Sequence, residues 1–131
     1  MQDIYLREDL LELYKSPINK GTLSNPTVSV DEKNPMCGDE ITLDLSIEDD
    51  IITGLKYRGD ACAVSLISSS LVSEEIVGKT LDEVKNFSKQ DVLDLIGIKL
   101  TTSRVKCALL ILEALNKAIE QYEINNRTST N

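Results

Sequence analysis

Histidine is absent from the 131-residue chain. That removes the usual general base at neutral pH, the Ser-His and Cys-His nucleophile pairs, and the commonest nitrogen ligand for a metal. Any metal must therefore be held by sulfur and oxygen. Cysteine is scarce, at three residues, so the thiols cannot all pair within the chain; in a reducing compartment no disulfide framework is expected. No run approaches the roughly 18 apolar residues of a membrane span, and the opening MQDIYLREDL lacks a signal-peptide pattern. The expectation is a soluble, cytoplasmic protein. Positive charge is also in short supply: 14 basic residues against 22 acidic give a net charge of -8, which repels phosphate backbones and anionic lipid. Nucleic acid and membrane surfaces are poor partners for such a chain. The N-x-S/T triplets at Asn86 and Asn126 carry no meaning without secretion.

What is present fits one domain over residues 1–131, with an N-terminal arm and helix over 1–20 and a frayed polar tail over 125–131. Ile4, Leu10, Leu11 and Tyr14 among charges predict a short amphipathic helix ending near Ser16-Pro17. The segment SPINKGTLSNP reads as an irregular connector. Val28 and Val30 begin a strand, and Ile41, Leu43, Leu45 and Ile47 alternate with polar residues through a second. After the polar turn Glu48-Asp49-Asp50, a third strand presents Ile51, Thr53, Leu55 and Tyr57 on one face. The period then changes. Val64, Ile67 and Leu71 predict a helix starting near Cys62, and the Thr80–Glu83 and Ser88–Asp91 segments resemble helix-starting capping boxes. From Ser103, the stripe Val105, Ala108, Leu109, Leu112, Leu115 and Ile119 predicts a long C-terminal helix. Strands followed by helices make this an α+β fold: a three-stranded antiparallel sheet with helices packed on one face.

The three cysteines fall at element ends. Cys37 lies in the loop Pro35-Met36-Cys37-Gly38-Asp39, and Cys62 lies where the third strand hands over to a helix. Cys107 lies in the first turns of the last helix, where free N–H groups and the dipole favour a thiolate. At 100 degrees per residue Cys107 borders the apolar stripe beside Ala114 and Ala118. Asp39, two residues after Cys37 and separated from it by a flexible glycine, is a fourth candidate ligand. Three thiolates and a carboxylate suit four-coordinate zinc or an iron-sulfur cluster with one oxygen ligand, the hard carboxylate being the weak, exchangeable bond. Burial as small hydrophobes is the plain alternative for the cysteines, and a turn-forming role is the plain alternative for Asp39. Lys106 is a candidate to neutralise anionic charge beside the site, its alternative being a solvated helix lysine. The serines from Ser65 to Ser73 are read as allowing close helix packing, since nothing activates them as nucleophiles.

Four segments together carry a resemblance. Asn34-Pro35-Met36-Cys37-Gly38-Asp39, Gly59-Asp60-Ala61-Cys62-Ala63-Val64-Ser65 with Ser68-Ser69-Ser70, Arg104-Val105-Lys106-Cys107-Ala108, and Pro17-Ile18-Asn19-Lys20-Gly21 resemble, in order, the motifs of the U-type iron-sulfur cluster assembly proteins, the family that includes IscU, SufU and the N-terminal domain of NifU. The resemblance covers nearly the whole chain. It implies a three-stranded sheet with packed helices, zinc or [2Fe-2S] cluster binding by Cys37, Asp39, Cys62 and Cys107, sulfur supply by a cysteine desulfurase onto those cysteines, and delivery to apo iron-sulfur recipient proteins, with the cluster in one subunit or within a homodimer. The protein would be a scaffold and not a turnover enzyme. IscU-type members carry histidine before the third cysteine and an LPPVK segment; this chain has Lys106 and Ile98-Lys-Leu-Thr-Thr102. Its CAVS and RVKC sequences resemble SufU, yet it lacks the additional SufU segment, since only residues 63 to 106 separate the second and third cysteines. Three functions follow: a cluster scaffold, a zinc-bound sulfur acceptor that activates a desulfurase, and a structural zinc domain, which the aspartate disfavours.

Overall fold

The computed structural model describes residues 7–35 and 38–129, so Ile4 and Cys37 lie outside the described residues. The elements follow in the order α1 (Glu8–Lys15), β1 (Val28–Asn34), β2 (Asp39–Glu48), β3 (Ile51–Asp60), α2 (Ala63–Ile76), α3 (Leu81–Lys85), α4 (Lys89–Ile96) and α5 (Thr102–Ser129). The strands form one antiparallel sheet in the order β1-β2-β3. Alternation decides its faces. Ile41, Leu43, Leu45 and Ile47 of β2 are buried while Glu40 and Glu48 are exposed, because successive side chains of a strand point to opposite faces. α5 packs on β1 and β2, and α2 packs between α5 and β3.

The third strand departs from simple alternation. Its two-residue turn places Asp49 and Asp50 at φ 53° and 60°, the left-handed conformation that a tight hairpin demands and aspartate tolerates. The pairing then steps from Ile47↔Ile52 to Ser46↔Gly54, leaving Thr53 as an extra residue in a β-bulge. The bulge reverses the alternation. Ile52 is therefore fully buried with Leu55 and Tyr57, whereas Ile51, expected on that face, is exposed.

Helix boundaries follow local chemistry. Thr80 and Ser88 both form complete capping boxes, with Glu83 and Asp91 returning the bond to the cap amides. Gly97 ends α4 at φ 71°. α5 is more deeply buried than a one-sided stripe requires: Ala108, Leu110, Ile111, Ala114, Leu115 and Ala118 are all inaccessible, because the sheet covers one flank and α2 and α4 cover another. It continues as helix to Ser129, into the polar segment for which fraying is expected.

Buried hydroxyls bring α2 close to its neighbours. Ser68 Oγ donates to the Ala108 carbonyl of α5 at 2.6 Å, and Ser70 Oγ lies 2.6 Å from the buried Tyr57 hydroxyl while accepting from Ile18 N at 3.1 Å. Ser73 Oγ accepts from the Asn19 amide at 3.1 Å. With Gly21 N donating to Tyr57 O and Tyr57 N to Asn19 O, these bonds lay the arm along the free edge of β3. On the far sheet face, the buried Asp44 accepts from Arg58, Ser29 and the Leu23 amide at 2.8, 2.6 and 3.1 Å. Burial pushes its carboxyl up, but those donors hold it below the usual carboxylate value.

Gly59 sets how closely the end of β3 approaches β2. It has φ +152°, and a Cβ there would overlap the Glu40 carbonyl oxygen and stand 2.9 Å from Ile41 Cα, both backbone atoms that cannot swing aside. Gly59→Ala is expected to destabilise the fold by about 2–4 kcal/mol through clash and strain together. Urea denaturation measures this; an unchanged midpoint would show that the two strands separate freely.

Candidate metal centre

Three expected ligands converge at one end of the sheet. Asp39 opens β2 directly after Gly38, whose φ of 76° and N–H donation to Asn34 O at 2.9 Å make the sharp return from β1. Cys62 is separated from the end of β3 by Ala61 alone and stands at the N-cap of α2, with extended φ and ψ of -70° and 167°. Cys107 lies in the second turn of α5. A carboxylate oxygen of Asp39 and the sulfurs of Cys62 and Cys107 all lie within 4.8 Å of one another. Cys37 falls outside the described residues, so its place in the set remains an expectation of the sequence.

Burial is unequal. Asp39 and Cys107 are each 5% exposed, while Cys62 is half-buried. Cys107 thus sits inside the core instead of bordering it as the helical-wheel position predicts, because α5 is covered on more than one flank. Lys106, at the preceding position of the helix, is exposed.

Asp39 is anchored by the first turn of α2. Its Oδ1 accepts from the Cys62 amide at 3.1 Å and its Oδ2 from the Ser65 hydroxyl at 2.6 Å. A helix N-terminus leaves backbone N–H groups without intrahelical partners, and Cys62 offers no capping side chain. A carboxylate from the neighbouring strand takes that place, where the helix dipole also favours negative charge. Burial pushes the Asp39 carboxyl up, but hydrogen bonds from the Ser65 hydroxyl, the Cys62 thiol and amide and the Cys107 thiol together hold it below the usual carboxylate value. The group is ionised at neutral pH and needs to lose no proton to serve as a ligand.

Ser65 is the site residue that sequence reasoning assigned only to packing. Besides Asp39 it reaches the Cys107 carbonyl at 2.9 Å, and the Cys62 thiol donates to it at 3.8 Å. The available signal was its spacing, three residues after Cys62 on a helix starting there, which returns it to the same end of the helix.

The donors suit a soft or borderline cation. Zinc bonds of about 2.0–2.3 Å in tetrahedral geometry place neighbouring donor atoms about 3.6 Å apart, so a modest contraction of the 4.8 Å spread closes the site. Two sulfurs and one oxygen leave one tetrahedral position for a further donor.

The family model for the NifU-like N-terminal domain matches residues 5–129. The zinc-dependent sulfurtransferase SufU of Bacillus subtilis (strain 168) is 32% identical, with 95% of each chain covered. The iron-sulfur cluster assembly scaffold protein IscU of Thermotoga maritima is also 32% identical, over 87% of this chain and 92% of that one. Among solved structures, the SufU chain of Fervidobacterium islandicum AW-1 superposes with a TM-score of 0.73 at 30% identity, covering 88% of this chain and 96% of its own. The N-terminal part of a NifU-like protein from Brucella abortus shares the fold, with a TM-score of 0.76 at 22% identity over 92% of this chain and 96% of that one. The chain is therefore a member of the NifU-like N-terminal domain family.

Proposed function

We propose that this protein is an iron-sulfur cluster assembly scaffold, which receives sulfur from a cysteine desulfurase, carries a [2Fe-2S] cluster as cargo on Cys37, Asp39, Cys62 and Cys107, and passes it to apo-proteins. The observation that carries this reading is the convergence of Asp39, Cys62 and Cys107 from three separate elements. A half-buried Cys62 beside a buried Cys107 combines access for incoming sulfur with a sheltered sulfur ligand. Sulfur moves when a site thiolate attacks the terminal sulfur of the desulfurase's persulfide, and the desulfurase cysteine leaves as thiolate. The oxygen ligand is the hard member of a soft set and is the position at which exchange begins. Such a protein acts as a scaffold and sulfur acceptor and not as a turnover enzyme. Work in the cytoplasm, where thiols are kept reduced, is part of this reading. None of the described helices is long and apolar enough to cross a membrane.

The similarity to a zinc-dependent sulfurtransferase favours a second reading, in which zinc resides at the same donors and one cysteine is released to accept sulfur. Anaerobic purification with iron, acid-labile sulfide and zinc analysis separates the two. Brown protein carrying iron and sulfide supports the scaffold; colourless protein with stoichiometric zinc overturns it in favour of the acceptor.

A further inference from the structure

The geometry points to Ser65 as a positioning residue: its hydroxyl holds the Asp39 carboxylate toward the two thiols, and so sets how tightly this site keeps a metal ion. The inference rests on the metal-binding reading above. The Ser65 hydroxyl has one hydrogen and two acceptors within reach, Asp39 Oδ2 at 2.6 Å and the Cys107 carbonyl at 2.9 Å. The shorter contact lies in the range of a charge-assisted O–H···O⁻ bond, so the carboxylate is the stronger claim on that hydrogen. Cys62 N holds the other oxygen at 3.1 Å. Held at both oxygens, the carboxylate cannot rotate freely, yet each oxygen keeps a lone pair for an ion. The amide anchor belongs to the backbone and the two thiols beside Asp39 are themselves candidate ligands, which leaves Ser65 as the anchoring side chain outside the described ligand set.

Burial sharpens the dependence. Ser65 is 1% exposed, so bulk water does not compete for the bonds its hydroxyl makes. It also joins the site's three elements, standing on α2, bonded to Asp39 of β2 and the Cys107 carbonyl of α5, and touched by the Cys62 thiol. The neighbouring Ser68 makes the analogous bond to Ala108 O and hydrogen-bonds none of the described candidate ligands, which separates helix packing from ligand orientation within one helix. Partners that orient a metal ligand in this way change metal affinity by about 10–100-fold when lost.

The test is a double-mutant cycle on the reduced 131-residue protein, with zinc affinity measured by competition against a chromophoric chelator. Ser65→Ala is expected to weaken zinc binding by about 10–100-fold with Asp39 present, and by less than about twofold in the Asp39→Ala background. With cobalt(II) as the probe, the d–d spectrum of Ser65→Ala should move toward that of Asp39→Ala. Equal losses of zinc affinity in both backgrounds, or a cobalt spectrum unchanged from wild type, would overturn the proposal and leave Ser65 a packing residue. If Ser65→Ala does not fold, the isosteric pair Ser65→Thr and Ser65→Val runs the same cycle, and Thr binding no tighter than Val overturns it. A wild-type chain that takes up neither zinc nor cobalt overturns the metal-binding reading itself, and this inference with it.

Discussion

Replacing any one of Cys37, Cys62 or Cys107 by serine is expected to abolish stable cluster after anaerobic reconstitution. Cys62 reaches the site from the start of α2 and Cys107 from α5, and a cluster bound between them adds bonds between elements otherwise joined by packing and the Ser65 and Ser68 hydroxyls. Serine keeps the volume but offers a neutral hydroxyl where soft thiolate is required. Residual loading should be lower in Cys107→Ser than in Cys62→Ser, because Cys107 is 5% exposed whereas the half-buried Cys62 is open to a replacement ligand from solvent. The same coupling stabilises the fold. A ligand that binds only the native state adds about 2.7 kcal/mol at a hundred times its Kd. At this chain length that is roughly a 10 °C rise in Tm between apo and loaded wild type, and the rise should vanish in each variant. Iron, sulfide and calorimetric measurements on matched samples check both effects. Parent-level iron and sulfide in the single variants would show that the cysteines do not act as one unit.

The second large effect is expected at Asp39. Asp39→Ala leaves the thiolates in place, so a cluster still assembles, but the exchangeable oxygen position is lost and delivery slows by roughly tenfold or more. The structure adds a cost that is separate from transfer. Asp39 satisfies the Cys62 amide at the start of α2, so its loss should destabilise the apo-protein by about 0.5–2 kcal/mol, the usual penalty for a missing helix cap. Asp39→Asn divides the two roles, since the amide oxygen still accepts from Cys62 N but is a poorer metal ligand. The expected pattern is slow transfer in both variants, with apo stability reduced mainly in Asp39→Ala. Circular dichroism of cluster movement to an apo-ferredoxin, together with urea denaturation of the apo forms, reads the two terms independently. Equal transfer rates from equally loaded wild type and Asp39→Ala would make Asp39 a capping residue only.

Features governed by near neighbours were legible in the sequence. The capping boxes at Thr80 and Ser88 involve residues three positions apart, and both form as their spacing predicts. The alternation from Ile41 to Ile47 and the start of α2 at Cys62 are likewise set by local periodicity and the strand-to-helix change. The ligand candidates Asp39, Cys62 and Cys107 were found by chemistry, because a chain without histidine has few ways to hold a soft ion. What the sequence left undecided depends on contacts between distant residues. The bulge at Thr53 exists because β3 must keep register with β2 while turning Ile52 inward, and no window of β3 alone carries that requirement. Cys107 is buried because α5 is covered by the sheet and by α2 and α4, whereas a helical wheel sees one partner face. The one local mark that sets Ser65 apart from the other serines of α2 is its spacing of three residues from Cys62 at the start of the helix. Its role at the site arises only because tertiary packing brings a carboxylate 26 residues away to 2.6 Å from its hydroxyl, where burial makes that bond hard to replace.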